Sequence, residues 1–76
     1  MNAKQIADDA DMIVAGYAYK VKDGYTEVVD LSDISRVCVI KDDIVYESVM
    51  SDVEDARVLN YYLRNKEVLE ESLLYA

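Results

Sequence analysis

Histidine, proline, tryptophan and phenylalanine are absent from the sequence, and its 76 residues include one cysteine and two glycines. Each absence closes off some chemistry. Without His there is no Ser–His–acid or Cys–His arrangement for nucleophilic catalysis. With Cys38 alone, an intrachain disulfide is impossible. The usual structural zinc sites, built from several Cys and His ligands, also lack their donors. Gly16 and Gly24 are isolated, so no glycine-rich loop cradles a phosphate. No run approaches the ~18 apolar residues of a membrane span, and Met1 to Asp9 lacks the apolar core of a signal peptide. A lone cysteine fits a reducing compartment, so the expected setting is cytoplasmic, with no cofactor and no membrane.

Positive charge is scarce too. Eight Lys and Arg face 16 Asp and Glu, a net charge of −8. A surface that tracks phosphates needs clustered basic residues, so direct nucleic-acid binding is not expected.

Apolar residues and tyrosine are plentiful. The apolar fraction is 53%, above the ~45–50% of ordinary soluble domains. The length allows one domain, spanning 1–76, and a domain near this size buries only roughly 60% of its unfolded surface. Disulfide and zinc are excluded, so dense packing or a second copy must supply the remaining stability, and a homodimer is expected. All seven aromatics are Tyr, at 17, 19, 25, 46, 61, 62 and 75. Tyrosine brings apolar area and a hydroxyl that needs a partner.

Along the chain, Ala3, Ile6, Ala7, Ala10, Ile13, Val14 and Tyr17 recur at helical steps, which predicts a helix to about residue 15, capped by Asn2 and stopped by Gly16. The period then changes to two. Tyr17, Tyr19 and Val21 alternate with Ala18, Lys20 and Lys22, and Asp23-Gly24 signals a hairpin. Tyr25 to Leu31 returns, with Glu27 placed to pair with Lys20 and Lys22. Arg36 to Ile40 reads as a strand buried on both faces, and Ile44 to Met50 follows the Lys41-Asp42-Asp43 turn. Ser51-Asp52-Val53-Glu54 is a capping box opening a last helix. That helix has two apolar stripes: Val53, Ala56, Leu59, Leu63; and Val58, Tyr62, Leu69, Leu73. Their offset predicts a break near Asn65. The expected fold is α+β: an N-terminal helix, a four-stranded antiparallel meander, and a C-terminal helix on the sheet.

The remaining reactive groups have structural readings. Cys38, between two valines, is a buried hydrophobe rather than a low-pKa nucleophile. Asp8, Asp9 and Asp11 fall on the outer face of the first helix, without the glycine-centred spacing of a calcium loop. An enzyme would need two close carboxylates in a concave pocket, one shielded from water.

One stripe of the last helix can cover the sheet while the other meets a partner. The expected interface is Arg57, Tyr61, Tyr62, Arg64, Leu69 and Leu73, since Tyr and Arg together are common at protein interfaces. Tyr61 and Tyr62 would face opposite sides, one inward and one towards the partner.

Three stretches also carry a resemblance: Gly16-Tyr17-Ala18-Tyr19 with Asp23-Gly24-Tyr25; Val28-Val29-Asp30-Leu31; and Glu47-Ser48-Val49-Met50-Ser51-Asp52-Val53-Glu54. With Tyr61-Tyr62-Leu63 they resemble small uncharacterised bacterial proteins, often encoded near mobile elements. The resemblance spans most of the chain and implies no activity and no functional residues.

The sequence therefore reads as a non-catalytic protein-interaction module that self-associates. The alternative is an acidic nucleic-acid mimic or antitoxin-like inhibitor of a basic protein, which needs carboxylates in rows at phosphate-like spacing.

Overall fold

The computed structural model describes the backbone of residues 2–75 and, in the last helix, side chains through Glu67 together with Leu69. A short helix α1 (Ala3–Asp9) leads into five strands: β1 (Met12–Val14), β2 (Tyr17–Lys22), β3 (Tyr25–Asp30), β4 (Val37–Lys41) and β5 (Ile44–Ser48). A long helix α2 (Asp52–Tyr75) follows. The strands form one antiparallel sheet in sequence order, β1-β2-β3-β4-β5.

The first correction concerns residues 10–15. The helix ends at Asp9, with Ala10 already extended, and Met12–Val14 form a fifth strand instead of further helix. The physical reason is the edge of β2. The Asp11 N–H donates to the Tyr19 carbonyl at 2.8 Å, and the Asp11 carboxylate accepts the Val21 N–H at 2.8 Å. Asp11 is thereby half-buried and bound to the sheet, not on an outer helix face. The β-branched Ile13 and Val14 suit that pairing. Asn2 caps α1 as expected, in a full capping box with Gln5.

Gly16 does take a positive φ, but in a hairpin turn. Ala15 (φ +52°) and Gly16 (φ +83°) link the paired residues Val14 and Tyr17, the two positive values of a type I′ turn. Asp42 (φ +55°) and Asp43 (φ +64°) do the same between Lys41 and Ile44. Asp tolerates this region better than Ala does.

Tyr17, Tyr19, Val28, Cys38, Ile40, Met50 and Val58 form the core between sheet and α2, with Met12, Val14, Val45, Leu59, Tyr61 and Tyr62 packed around it. Tyr19 is fully buried, and its hydroxyl donates to the Val58 carbonyl on α2 at 2.9 Å. At the start of α2, the Glu54 N–H donates to the Ser51 hydroxyl at 3.2 Å, so the Ser51 half of the predicted capping box forms, while the Glu54 carboxylate meets the Ser51 hydroxyl at 3.4 Å rather than its backbone N–H. The Glu54 carboxylate takes the Arg36 guanidinium and the Tyr17 hydroxyl. The Arg36 guanidinium also lies 3.8 Å from the Asp30 carboxylate. The Ser48 hydroxyl donates to Asp55 at 2.5 Å, and Lys66 Nζ lies 2.8 Å from Asp43 Oδ2. These last two contacts show α2 running back alongside β5, from its end to its beginning.

The second correction is that α2 runs through Asn65 without interruption. The line facing the sheet is Val58, Tyr62, Asn65, Leu69, at steps of four and three. Asn65 is a polar member of that line, and its amide donates to the Tyr61 carbonyl one turn back at 2.8 Å. A satisfied polar group in the inward line looks, in sequence, like a break between two stripes.

Replacing Ala15 with Asn keeps the turn and removes a methyl-bearing residue from a region it disfavours. The variant is expected to gain about 0.5–1 kcal/mol in urea unfolding. Tyr19→Phe deletes a buried hydroxyl that bonds the backbone of α2 and is expected to lose about 1 kcal/mol in the same measurement.

Candidate interaction surface

In a strand, successive side chains alternate faces. Tyr17, Tyr19, Thr26, Val28, Cys38 and Ile40 face α2 and are buried. Their neighbours Ala18, Lys20, Lys22, Tyr25, Glu27, Val29, Val37, Val39 and Lys41 face the other way. Helix α1 lies over one corner of this second face, against β2, and shields Ala18 and Val29. No other element among the described residues lies over this face. Val37 and Val39 are only half-buried there, although Val37-Cys38-Val39-Ile40 has the composition of a strand covered on both sides. The expectation of two-sided burial is met on the α2 face only.

A β-bulge shapes the edge of this open face. Glu47 pairs with Val39 and Val45 with Ile40, so Tyr46 is an extra residue in β5. The bulge resets the alternation. Val45 and Ser48 share the α2 face, while Tyr46 and Glu47 both turn to the open face beside Val39 and Lys41. Bulges commonly re-aim side chains in this way, and they also blunt an edge strand against indiscriminate pairing.

Three adjoining hollows occupy the open face. The first, of about 370 Å³, is lined by Asp23, Gly24, Tyr25, Glu27, Val39, Lys41, Tyr46 and Glu47. The second, of about 280 Å³, lies under α1, with Ala18, Val29 and Val37 as floor and Ile6, Ile34 and Lys20 around it. The third joins Val37, Val39 and Glu47 to Val49. The shared residues Glu27, Val37, Val39 and Glu47 make these one continuous surface. Ile34 is presented there by a loop of two Asp-x-Ser turns, in which Asp30 and Asp33 accept from the backbone and hydroxyl of Ser32 and Ser35. The Ser35 bonds hold the Asp33 carboxyl below its ordinary range.

The charges on this face divide into two groups. Lys20 sits 3.8–3.9 Å from Asp11 and Asp9, not on Glu27 opposite it. Among the described residues, no ion pair or hydrogen bond engages the side chains of Asp23, Glu27 or Glu47. The Lys41 ammonium lies 5.3 Å from the centre of the Tyr46 ring, within cation–π range. Glu27 and Glu47 flank Val39 from opposite sides, about 10 Å apart along the hydrogen-bonding direction.

The interface expected on α2 is differently arranged. Arg57 and Arg64 are exposed, but Tyr61 and Tyr62 are both half-buried against the core, and Leu69 is only 2% exposed. The side chain of Leu73 lies outside the described residues. Among the described residues, the large apolar side chains of α2 that are exposed are instead Val53, at 69%, and Leu63, at 48%. Sequence reasoning assigned the two stripes without knowing which faced the sheet. It also missed Tyr46, Val49 and the valines of β4, for which the only signal was the imperfect alternation of Ile44 to Met50.

Cys38 is fully buried beside Ser48 and Asp55. Burial, reinforced by the Asp55 carboxylate, pushes its thiol up to about 11. Burial likewise drives the Tyr19 hydroxyl well above its ordinary range, with Cys38 and Tyr17 adding to the effect. Among the described residues, no group of three or more acids or thiols is placed to hold a metal ion, and no helix is long and apolar enough to cross a membrane.

Residues 1–69 match the model of a family described as a family of unknown function (DUF7723). No curated protein and no solved structure matches the chain.

The thiol has a consequence for alkaline stability. In the unfolded chain Cys38 ionises near 9.0, and in the folded chain only near 11. Its contribution is therefore complete below pH 9 and is lost as pH rises from 9 to 11, on the order of 3 kcal/mol in all. Urea midpoints of the native chain should fall more steeply across that window than those of Cys38→Val.

Proposed function

Because the chain belongs to this family of unknown function, we propose from its own geometry that it is a non-catalytic protein-interaction module working through the open face of its sheet. The observation that carries this reading is β4. Val37 and Val39 form the half-buried floor of a continuous valine- and tyrosine-lined surface, in a strand whose composition fits cover on both faces. A second copy of the chain is the first occupant of that surface. A domain this small, without a disulfide, gains most from burying such a face. The setting is an aqueous, reducing compartment such as the cytoplasm, with no direct contact to nucleic acid.

Sedimentation equilibrium over a range of concentrations tests the proposal. The native chain is expected to approach the mass of two chains. Ile34→Lys and Val49→Lys, both at exposed positions bordering the open face, are expected to weaken association about tenfold or more without lowering stability. A native chain that stays monomeric throughout would remove the second copy as occupant.

One observation favours a second reading, a basic protein as partner. The hollow around Tyr46 is lined by three carboxylates and one ammonium, and the carboxylates are unengaged among the described residues. Nucleic-acid mimicry finds less support. Asp9, Asp11, Asp30, Asp43 and Glu54 are committed to ion pairs inside the chain rather than set out in rows.

A further inference from the structure

We propose that the hollow between Tyr25 and Tyr46 is a receptor for a cationic side chain, the guanidinium of an arginine on a basic partner protein. This rests on the second reading above, that the open face meets a basic protein. Four features of the hollow converge on that ligand.

The first is shape: about 370 Å³ open to solvent, with an apolar floor at Val39. The second is aromatic lining. Tyr25 and Tyr46 are the two tyrosines whose rings are exposed among the described residues, and they border the same hollow. The third is charge. Glu27 and Glu47 stand on either side of Val39, with Asp23 at the rim, and no ion pair or hydrogen bond engages any of the three among the described residues. Glu27 is distinctive in this, because the other half-buried carboxylates, Asp11, Asp30, Glu54 and Asp55, all have partners within the chain. The fourth is that the hollow already draws a cation: the Lys41 ammonium sits 5.3 Å from the Tyr46 ring centre.

The β5 bulge makes this arrangement. With regular alternation only one of Tyr46 and Glu47 could face the hollow; the extra residue turns both to it. A guanidinium suits the result better than an ammonium. It is planar, so it stacks on a tyrosine ring, and its fork of donors can bridge to carboxylates on two sides. Lys41 then acts as a resident competitor, holding part of the Tyr46 face until a better-matched cation displaces it.

The test is a nuclear magnetic resonance titration of the intact chain with an end-blocked Ser-Arg-Ser peptide. The same peptide with citrulline, which keeps the shape and loses the charge, is the control. The arginine peptide is expected to move the Tyr25, Tyr46 and Val39 signals saturably, and the citrulline peptide to leave them in place. Tyr25→Leu and Tyr46→Leu are expected to weaken binding up to about five-fold each, the scale of an exposed cation–π contact. Glu47→Gln weakens it about two- to three-fold. Lys41→Met, by removing the competitor, tightens it about two- to three-fold. A purely structural role for these side chains does not produce that opposite sign. Unmoved ring signals, equal shifts with citrulline, or weaker binding by Lys41→Met would each overturn the proposal. So would ring shifts that appear on concentrating the native chain alone and vanish in Arg57→Gln/Arg64→Gln, since they assign the hollow to a second copy. Should the peptide fail while Ile34→Lys and Val49→Lys still weaken a measured association, the cation site falls and the open face stands.

Discussion

One helix against one sheet is the constraint on which everything else depends. A helix of 24 residues spans about 36 Å, ample for the length of these strands but wide enough for one face only. Its seat is set from beneath by the Tyr19 hydroxyl on the Val58 carbonyl, and from its N-terminal end by Ser51, Arg36 and Ser48. Once α2 is fixed there, Tyr17, Val28, Cys38 and Ile40 are enclosed. The opposite face is left to α1, whose seven residues shield one corner.

The consequence falls on β4. Its place inside the sheet, next to the edge strand, gives it hydrogen-bonded neighbours on both sides, and Val37 and Val39 on one face with Cys38 and Ile40 on the other give it apolar groups on both. Only Cys38 and Ile40 find cover, and Val37 and Val39 become the floor of the open surface. The bulge in β5 then decides what surrounds that floor. A single extra residue brings Tyr46 and Glu47 to the same side and turns the start of an edge strand into the wall of a hollow. The same irregularity discourages strand addition at that edge, because a ladder laid along β5 would lose its alternation midway.

Much of the architecture is legible in the residues. The Tyr17 to Val21 alternation, the Asp23-Gly24 and Asp42-Asp43 turns, and the caps at Asn2 and Ser51 rest on short-range physics, and each forms where its residues predict. Ile13 and Val14 misled because their spacing continues a helical period. What settles them is the backbone of β2, distant in sequence and offering hydrogen bonds that a solvated helix turn does not supply. Asn65 misled for a related reason. A polar residue in an inward line is an interruption on paper, and a satisfied amide once the Tyr61 carbonyl is in reach.

The candidate site was the least legible part. Seven tyrosines and an apolar surplus announced that some surface would remain for a partner, but not which. By itself the sequence determined the element types outside residues 10–15, most turns, the exclusion of histidine and disulfide chemistry, and the burial of Cys38, since these follow from composition and neighbours along the chain. The tertiary structure alone decided which stripe of α2 meets the sheet, which face of the sheet stays open, and that Tyr25, Glu27, Tyr46 and Glu47 gather around Val39. Those outcomes depend on register and on one bulge, and a shift of a single residue in a strand exchanges its two faces.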